Sequence, residues 1–159
     1  MGLLAAVITV SDRSAAGLRD DASGPVALAA LVDAGFDADA VTVVPDGADS
    51  VEQALRAALA AGARLVVTTG GTGLSPRDQT PEGTARVIER AVPGIAEELR
   101  RIGAAAKPAG MLSRGLAGVA GGALIVNLAG SPNAVASGMP VVLSVARHVV
   151  DQLSGGDHP

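Results

Sequence analysis

The chain has 159 residues, enough for one domain with a hydrophobic core that needs no disulfide or structural metal. Twelve Lys+Arg against sixteen Asp+Glu give a net charge of −4, so no overall field draws it to nucleic acid or to an anionic membrane, and a single aromatic residue, Phe36, leaves no platform for stacking bases. Without cysteine there are no disulfides, thiolate nucleophiles or Cys-based zinc sites, and two histidines, His148 and His158, cannot build a zinc centre alone.

In chain order, Leu3 to Val10 is a continuous apolar run suited to a strand buried on both faces. Gly24-Pro25 opens a helix that ends before Gly35. Val41 to Val44 is a second strand, stopped by Pro45. Ser50 is the expected cap of the next helix, with Gln53 as its capping-box partner and Gly62 past its end. Leu65 to Thr69 is a third strand and runs straight into Gly70-Gly71-Thr72-Gly73. Thr80-Pro81-Glu82 starts a helix with Val87, Ile88 and Ala91 on its buried stripe, broken at Pro93-Gly94. Ile95, Leu99 and Ile102 mark a second helix, and Leu124 to Leu128 a fourth strand. Gly130-Ser131-Pro132 starts a further helix, and Val141, Val142, Val145, Val149, Val150 and Leu153 form the stripe of a last one.

Strands alternating with helices imply parallel pairing through right-handed crossovers. The expected fold class is α/β, a three-layer sandwich with a mostly parallel sheet and helices on both faces. Residues 1–153 are read as one domain and 154–159 as a short disordered tail. The uncharged stretch from Gly115 to Ala146 is interrupted by Asn127, Pro132, Asn133 and Pro140, so it reads as strand, turn and helix and not as a membrane span. No secretory signal is visible at the start, and the expected location is cytoplasmic.

Ligands of such sheets bind beyond the carboxyl ends of the strands. The residues there are Ser11-Asp12-Arg13, Pro45-Asp46, Gly70 to Gly73 with Arg77-Asp78 close behind, and Asn127, Gly130 and Ser131. Glycines 70, 71 and 73 let backbone N–H groups approach a phosphate, and Thr72 adds a hydroxyl. Asp46 and Asp78 suit a shared Mg²⁺, which takes one or two carboxylates plus phosphate oxygens. Ser131 sits at a helix N-terminus, where an anion is favoured. Each has a plainer reading: Gly-Gly as a tight turn, Asp46 and Ser11-Asp12 as turn residues, Asp78 as a cap, Ser131 as an N-cap. Arg13, Arg19, Arg77 and Arg114 are equally readable as solvated charges, and His148 as a surface residue. No nucleophile elbow, Walker loop or dinucleotide fingerprint is present.

Thr68-Thr69-Gly70-Gly71-Thr72-Gly73 followed by Arg77-Asp78-x-Thr80-Pro81-Glu82 resembles the molybdenum-cofactor biosynthesis proteins of the MogA/MoaB type, which include molybdopterin adenylyltransferases and the gephyrin G domain. Thr9-Val10-Ser11-Asp12-Arg13, Asp21-x-Ser23-Gly24-Pro25, Val44-Pro45-Asp46, Pro93-Gly94, Ser113-Arg114 and Asn127-Leu128-x-Gly130-Ser131-Pro132 extend the likeness over nearly the whole chain. The resemblance implies transfer of AMP from Mg-ATP to the terminal phosphate of molybdopterin, with release of pyrophosphate. It places the two essential acids on Asp46 and Asp78, the nucleotide loop on Gly70, Gly71, Thr72 and Gly73, and further pocket positions on Ser11, Asp12, Ser113, Arg114 and Ser131. It also implies a homotrimer, sometimes a hexamer, and a separate molybdate-inserting partner protein. A non-catalytic, molybdopterin-binding paralogue is the alternative it leaves open. One departure is Ala129, which stands where the family usually has Pro and removes a stiffening element before Ser131.

Overall fold

A computed structural model describes residues 2–156. Six strands form one sheet in the order β2-β1-β3-β6-β5-β4. The strands β1 (Ala5–Val10), β2 (Val41–Val44), β3 (Leu65–Thr69) and β6 (Ala123–Leu128) pair in parallel. The short strands β4 (Arg90–Ala91) and β5 (Ala117–Ala120) complete it with antiparallel pairings. The α/β class and the mostly parallel sheet expected from the sequence are what the chain adopts.

Alternation within the strands supplies both faces of the sheet. Val7, Leu65, Val67, Leu124 and Val126 meet α2 (Gly24–Asp33), α5 (Pro93–Ala106) and α6 (Pro132–Leu153) through Leu31, Ile95, Val135, Met139 and Val142. The intervening Ile8, Val10, Val66 and Ile125 face the opposite way, onto Val51 and Leu55 of α3 (Ala48–Ala60). Nearly all these side chains are branched aliphatics buried to a few per cent exposure or less. Each contributes roughly 1.5–3 kcal/mol on burial, so a core without Trp or Tyr is no handicap.

Several expectations are corrected. The helix from Thr80 ends at Ala85 (α4, Thr80–Ala85) and does not continue through Ala91. Glu89 N–H and Val92 N–H instead donate to Val119 and Ala117 carbonyls, so the chain is drawn onto the sheet as β4. β5 escaped the sequence reading as well. It is joined to β6 by Gly121-Gly122, both at positive φ (56° and 78°), the conformation a two-residue hairpin turn requires. Ser50 is not a cap: α3 begins at Ala48 and the Ser50 hydroxyl donates back to Pro45 and Gly47 carbonyls. Thr80 is likewise the first helical residue of α4 and not its cap. The two C-terminal helices are one, α6, which runs through Pro140. Pro140 and Ala136, whose carbonyl loses its donor there, are both exposed, so water can satisfy that carbonyl. At the other end of the chain an unforeseen single turn, α1 (Asp12–Ala15), follows β1. Of the presumed tail, Ser154 to Gly156 hydrogen-bond back to the end of α6, and 157–159, with His158, lie outside the described residues. Among the described residues no helix is long and apolar enough to cross a membrane.

The sheet order fixes where the chemistry can sit. From β1 the chain steps outward to β2, then returns across β1 to β3. The crevice between β1 and β3, at their carboxyl ends, is the topological switch point.

Candidate functional site

A cavity of about 370 Å³ opens at that point. Its walls come from the ends of β1 (Thr9, Val10, Ser11), the loop after β2 (Asp46), the end of β3 and its loop (Thr69, Gly70, Gly71, Asp78) and the loop after β6 (Gly130, Ser131). Arg19, Asp20, Asp21 and Ser23, from the segment between α1 and α2, close its rim.

The glycine loop is built by contact and not by turn preference alone. Gly70 and Gly71 have φ of +91° and +66°. A Cβ on Gly70 would collide with the Val10 carbonyl, and one on Gly71 with the Thr80 hydroxyl. Thr80 explains that contact: fully buried, it donates from Oγ1 to the Gly70 carbonyl at 2.8 Å and from its N–H to the Gly71 carbonyl at 3.0 Å. Both carboxylates lean on the same backbone. Asp46 Oδ1 lies 3.2 Å from where a Cβ on Gly71 would stand, and Asp78 Oδ2 lies 2.9 Å from that point on Gly73.

Asp46 is held by a reciprocal pair of bonds. Asp12 N–H donates to Asp46 Oδ2 at 2.9 Å, and Asp46 N–H donates to Asp12 Oδ1 at 3.0 Å. Arg77 clamps the pair, donating to both oxygens of Asp12 at 3.0 Å and to the Asp46 carbonyl at 2.9 Å. Arg77 therefore holds Asp12 below the usual carboxylate range. Asp46 goes the other way: burial raises its pKa, and the charges of Asp12 and Asp78 add to that rise. A bound cation relieves the cost of holding Asp46 ionised beside those charges.

Asp78 is positioned by its own turn, in which Ser75 N–H donates to Oδ2 at 3.1 Å. Arg114 pins that turn from outside. Its Nε donates to the Gly73 carbonyl at 2.9 Å, its Nη2 to the Asp78 carbonyl at 2.7 Å, and its Nη1 pairs with Glu82 of α4. Arg114 is thus engaged by the loop and lines neither cavity described here. The side chain of Asp12 is likewise engaged, by Arg77, and is absent from the cavity wall. Thr72 and Gly73 face away from the first cavity into a second one.

That second cavity, about 550 Å³, is the more apolar. Ala96, Leu99 and Ile102 of α5, Leu112, Leu128 and Ala129 supply its apolar wall, and Thr72, Arg100, Lys107, Ser113, Asn127 and Ser131 contribute to its polar one. Ser131 belongs to both cavities, and the glycine loop is the partition, with Gly70 and Gly71 on one side and Thr72 and Gly73 on the other. Ser131 also caps α6, accepting from Ala134 N–H at 3.1 Å. Its cap reading holds, and the helix N-terminus it marks stands between the cavities.

Other polar residues hold the edge together. Asn127, buried in β6, donates to Thr68 and Thr84 hydroxyls at 2.9 and 3.0 Å and accepts from Leu116 N–H at 3.0 Å. Asp21 accepts from Thr9 Oγ1 and from the N–H groups of Ser23 and Gly24, and the Ser23 hydroxyl donates to the Gly130 carbonyl. That last bond ties down the loop that carries Ala129. The signal for Thr68, Thr69 and Asn127 was available, since polar residues inside otherwise apolar strands need partners. Nothing in the sequence reading assigned the clamp formed by Arg77. His148 lies exposed on α6 beside Gln152, away from the site.

In chemical terms this edge offers bare backbone N–H groups for phosphate, paired carboxylates for a hard cation, and an adjoining apolar chamber for a flat ring system. Residues 6–148 match the family described as the probable molybdopterin binding domain, and the chain belongs to that family. It is 40% identical over 157 residues to a molybdenum cofactor biosynthesis bifunctional protein of Synechococcus elongatus, a match covering 99% of this chain and 49% of that relative. It is 36% identical over 132 residues to the molybdopterin adenylyltransferase of Haemophilus influenzae, covering 81% of this chain and 67% of that one. The solved structure of the molybdopterin biosynthesis Mog protein from Mycobacterium ulcerans superposes with a TM-score of 0.90 at 43% identity, covering 96% of this chain and 99% of that one. The chain spans about half the length of the bifunctional relatives it matches.

Proposed function

We propose that this chain is a molybdopterin adenylyltransferase of molybdenum cofactor biosynthesis. The nucleotide's phosphates occupy the acid-lined cavity over Gly70 and Gly71, and the pterin occupies the apolar chamber beyond Thr72 and Gly73. The observation that carries this reading is the partition: one glycine loop borders a polar cavity and an apolar one, and Ser131 lines both. Two ligands seated on either side bring their phosphates together at the loop.

The reaction needs no general base. The attacking group is an oxygen of the pterin's terminal phosphate, already ionised at neutral pH. It forms a bond to the α-phosphorus of ATP as the bond between that phosphorus and the bridging oxygen to the β-phosphorus breaks. The electron pair leaves with pyrophosphate. The chain has to hold two anions in line and offset their repulsion. The Gly70 N–H is already given to the Leu128 carbonyl at 3.1 Å, so donors along Gly71 to Gly73 orient the phosphates, and the Arg77 and Arg114 clamps keep Asp46 and Asp78 in place without entering the pocket. Asp46 and Asp78 are the residues that would hold Mg²⁺, and their mutual repulsion fits them to it. Mg²⁺ supplies charge neutralisation at the transferring phosphoryl group. Ser113, on the wall of the apolar chamber, is a pterin contact in this reading.

The same reading makes the assembly a homotrimer, its product bound for a molybdate-inserting partner. The test is incubation with molybdopterin, ATP and Mg²⁺, measuring pyrophosphate. Wild-type chain releases it in step with pterin consumption, and Asp78→Asn reduces the rate at least a hundredfold while keeping the fold. Pterin binding without ATP consumption identifies a non-catalytic binding paralogue and ends the transferase reading.

A further inference from the structure

The acid-lined cavity presents an electrostatic problem to any polyphosphate. Four aspartates, Asp20, Asp21, Asp46 and Asp78, stand on its wall, and the cationic residue beside them is Arg19. Asp21 is committed to Thr9, Ser23 and Gly24, and Asp46 and Asp78 are set as a pair against the glycine loop. The other arginines of the site are engaged. Arg77 is held by Asp12 and the Asp46 carbonyl, Arg114 by Gly73, Asp78 and Glu82, and Arg100 by the Ser113 and Gly115 carbonyls. Arg19 is exposed and makes no hydrogen bond or ion pair among the described residues. It rides on the turn that follows α1, where Gly17 has a φ of +72°. That turn is anchored by Leu18 N–H to the Arg13 carbonyl, so the base of the arm is fixed while its guanidinium is not.

We infer that Arg19 is a phosphate-gripping residue that meets the β- and γ-phosphates of a nucleotide in this cavity and takes up charge on the departing pyrophosphate. The inference rests on the transferase reading for the identity of the nucleotide, and on cavity geometry for the grip itself. A guanidinium forks onto two phosphate oxygens, an arrangement an ammonium cannot reproduce. The bond that breaks leaves its electron pair on an oxygen of the β-phosphate, so charge grows where Arg19 can reach and away from the pterin. Arg19 therefore acts more strongly on the transition state than on bound substrate.

The experiment measures binding of Mg²⁺–tripolyphosphate to the full chain by calorimetry at fixed ionic strength, and turnover separately. Arg19→Gln weakens tripolyphosphate about tenfold, the effect of one charge-assisted contact at a partly open site, and Arg19→Lys recovers part of it. Arg13→Gln, the same charge change on α1 outside the cavity wall, leaves affinity unaltered. In turnover, Arg19→Gln lowers kcat as well as raising KM for ATP. Wild-type affinity in Arg19→Gln, or no tripolyphosphate binding by the wild-type chain, overturns the inference. Arg19-dependent binding in a chain that releases no pyrophosphate supports the grip and overturns the transferase reading instead.

Discussion

Removing the Arg114 guanidinium tests whether the loop carrying Gly73 and Asp78 is pre-organised from outside the pocket. In Arg114→Gln two main-chain carbonyls lose charged donors, at 2.9 Å from Gly73 and 2.7 Å from Asp78, and Glu82 loses its partner. A hydrogen bond from a charged donor is worth about 1.5–3 kcal/mol when buried. The Arg114 side chain is 35% exposed and the freed carbonyls can rehydrate, so the combined loss is discounted to about 2 kcal/mol. That shifts the balance between ordered and open loop by about 30-fold. Hydrogen exchange reads this directly. The amides of Ser75, Asp78 and Thr80, each bonded within the loop, should exchange about 30 times faster. Amides of β3 and β6 should not change, and Tm should fall by no more than about 8 °C. Equal exchange at Ser75, Asp78 and Thr80 in variant and wild type would refute the positioning role of Arg114.

Other outcomes follow from the same geometry. Gly71→Ala places a β-carbon against the Thr80 hydroxyl at a φ of +66°, and should cost about 2 kcal/mol by chemical denaturation and weaken Mg²⁺ binding as Asp46 is displaced. Asp46→Asn should match or exceed wild-type stability at pH 7. Burial raises the Asp46 pKa, so its ionisation opposes folding above the ordinary value of 3.8, and the advantage of Asn disappears below that pH. Mg²⁺ at ten times its Kd should stabilise the wild type by about 1.4 kcal/mol and Asp46→Asn not at all, as thermal shifts would reveal. Asn127→Ala should lower stability by about 3 kcal/mol and Tm by about 6–12 °C, because it leaves Leu116 N–H and two threonine hydroxyls unpartnered around a new void.

Much of this was legible because the residues concerned follow strands directly. Ser11, Asp46, Gly70 and Ser131 each come within three residues of a strand's carboxyl end, and a parallel sheet gathers those ends on one edge whatever the side chains do. Asp78 was legible from its place just behind the glycine loop, although it reaches the edge by way of a turn that Arg114 pins. The roles of Arg77 and Arg114 were not legible. An exposed arginine that clamps a carboxylate is indistinguishable in sequence from a solvated one, and their partners lie 31 or more residues away. β4 and β5 were missed because two and four residues carry too little periodicity to compete with the helical pattern around them, although Gly121-Gly122 between apolar runs was a hairpin signal. The misplaced starts at Ser50 and Thr80 share one cause. Their hydroxyls were assigned to helix caps, and the fold uses them to tie the loops that carry Asp46 and Gly70.

In the proposed reaction one glycine loop joins two substrates across a shared partition. Its most direct test supplies ATP labelled at the α-phosphorus, together with molybdopterin and Mg²⁺, and follows the label. Label should appear in an AMP group joined to the pterin's terminal phosphate and not in pyrophosphate, and transfer should be lost in both Asp46→Asn and Asp78→Asn. Label that stays with ATP in the wild-type chain, or transfer that survives in either variant, would contradict it.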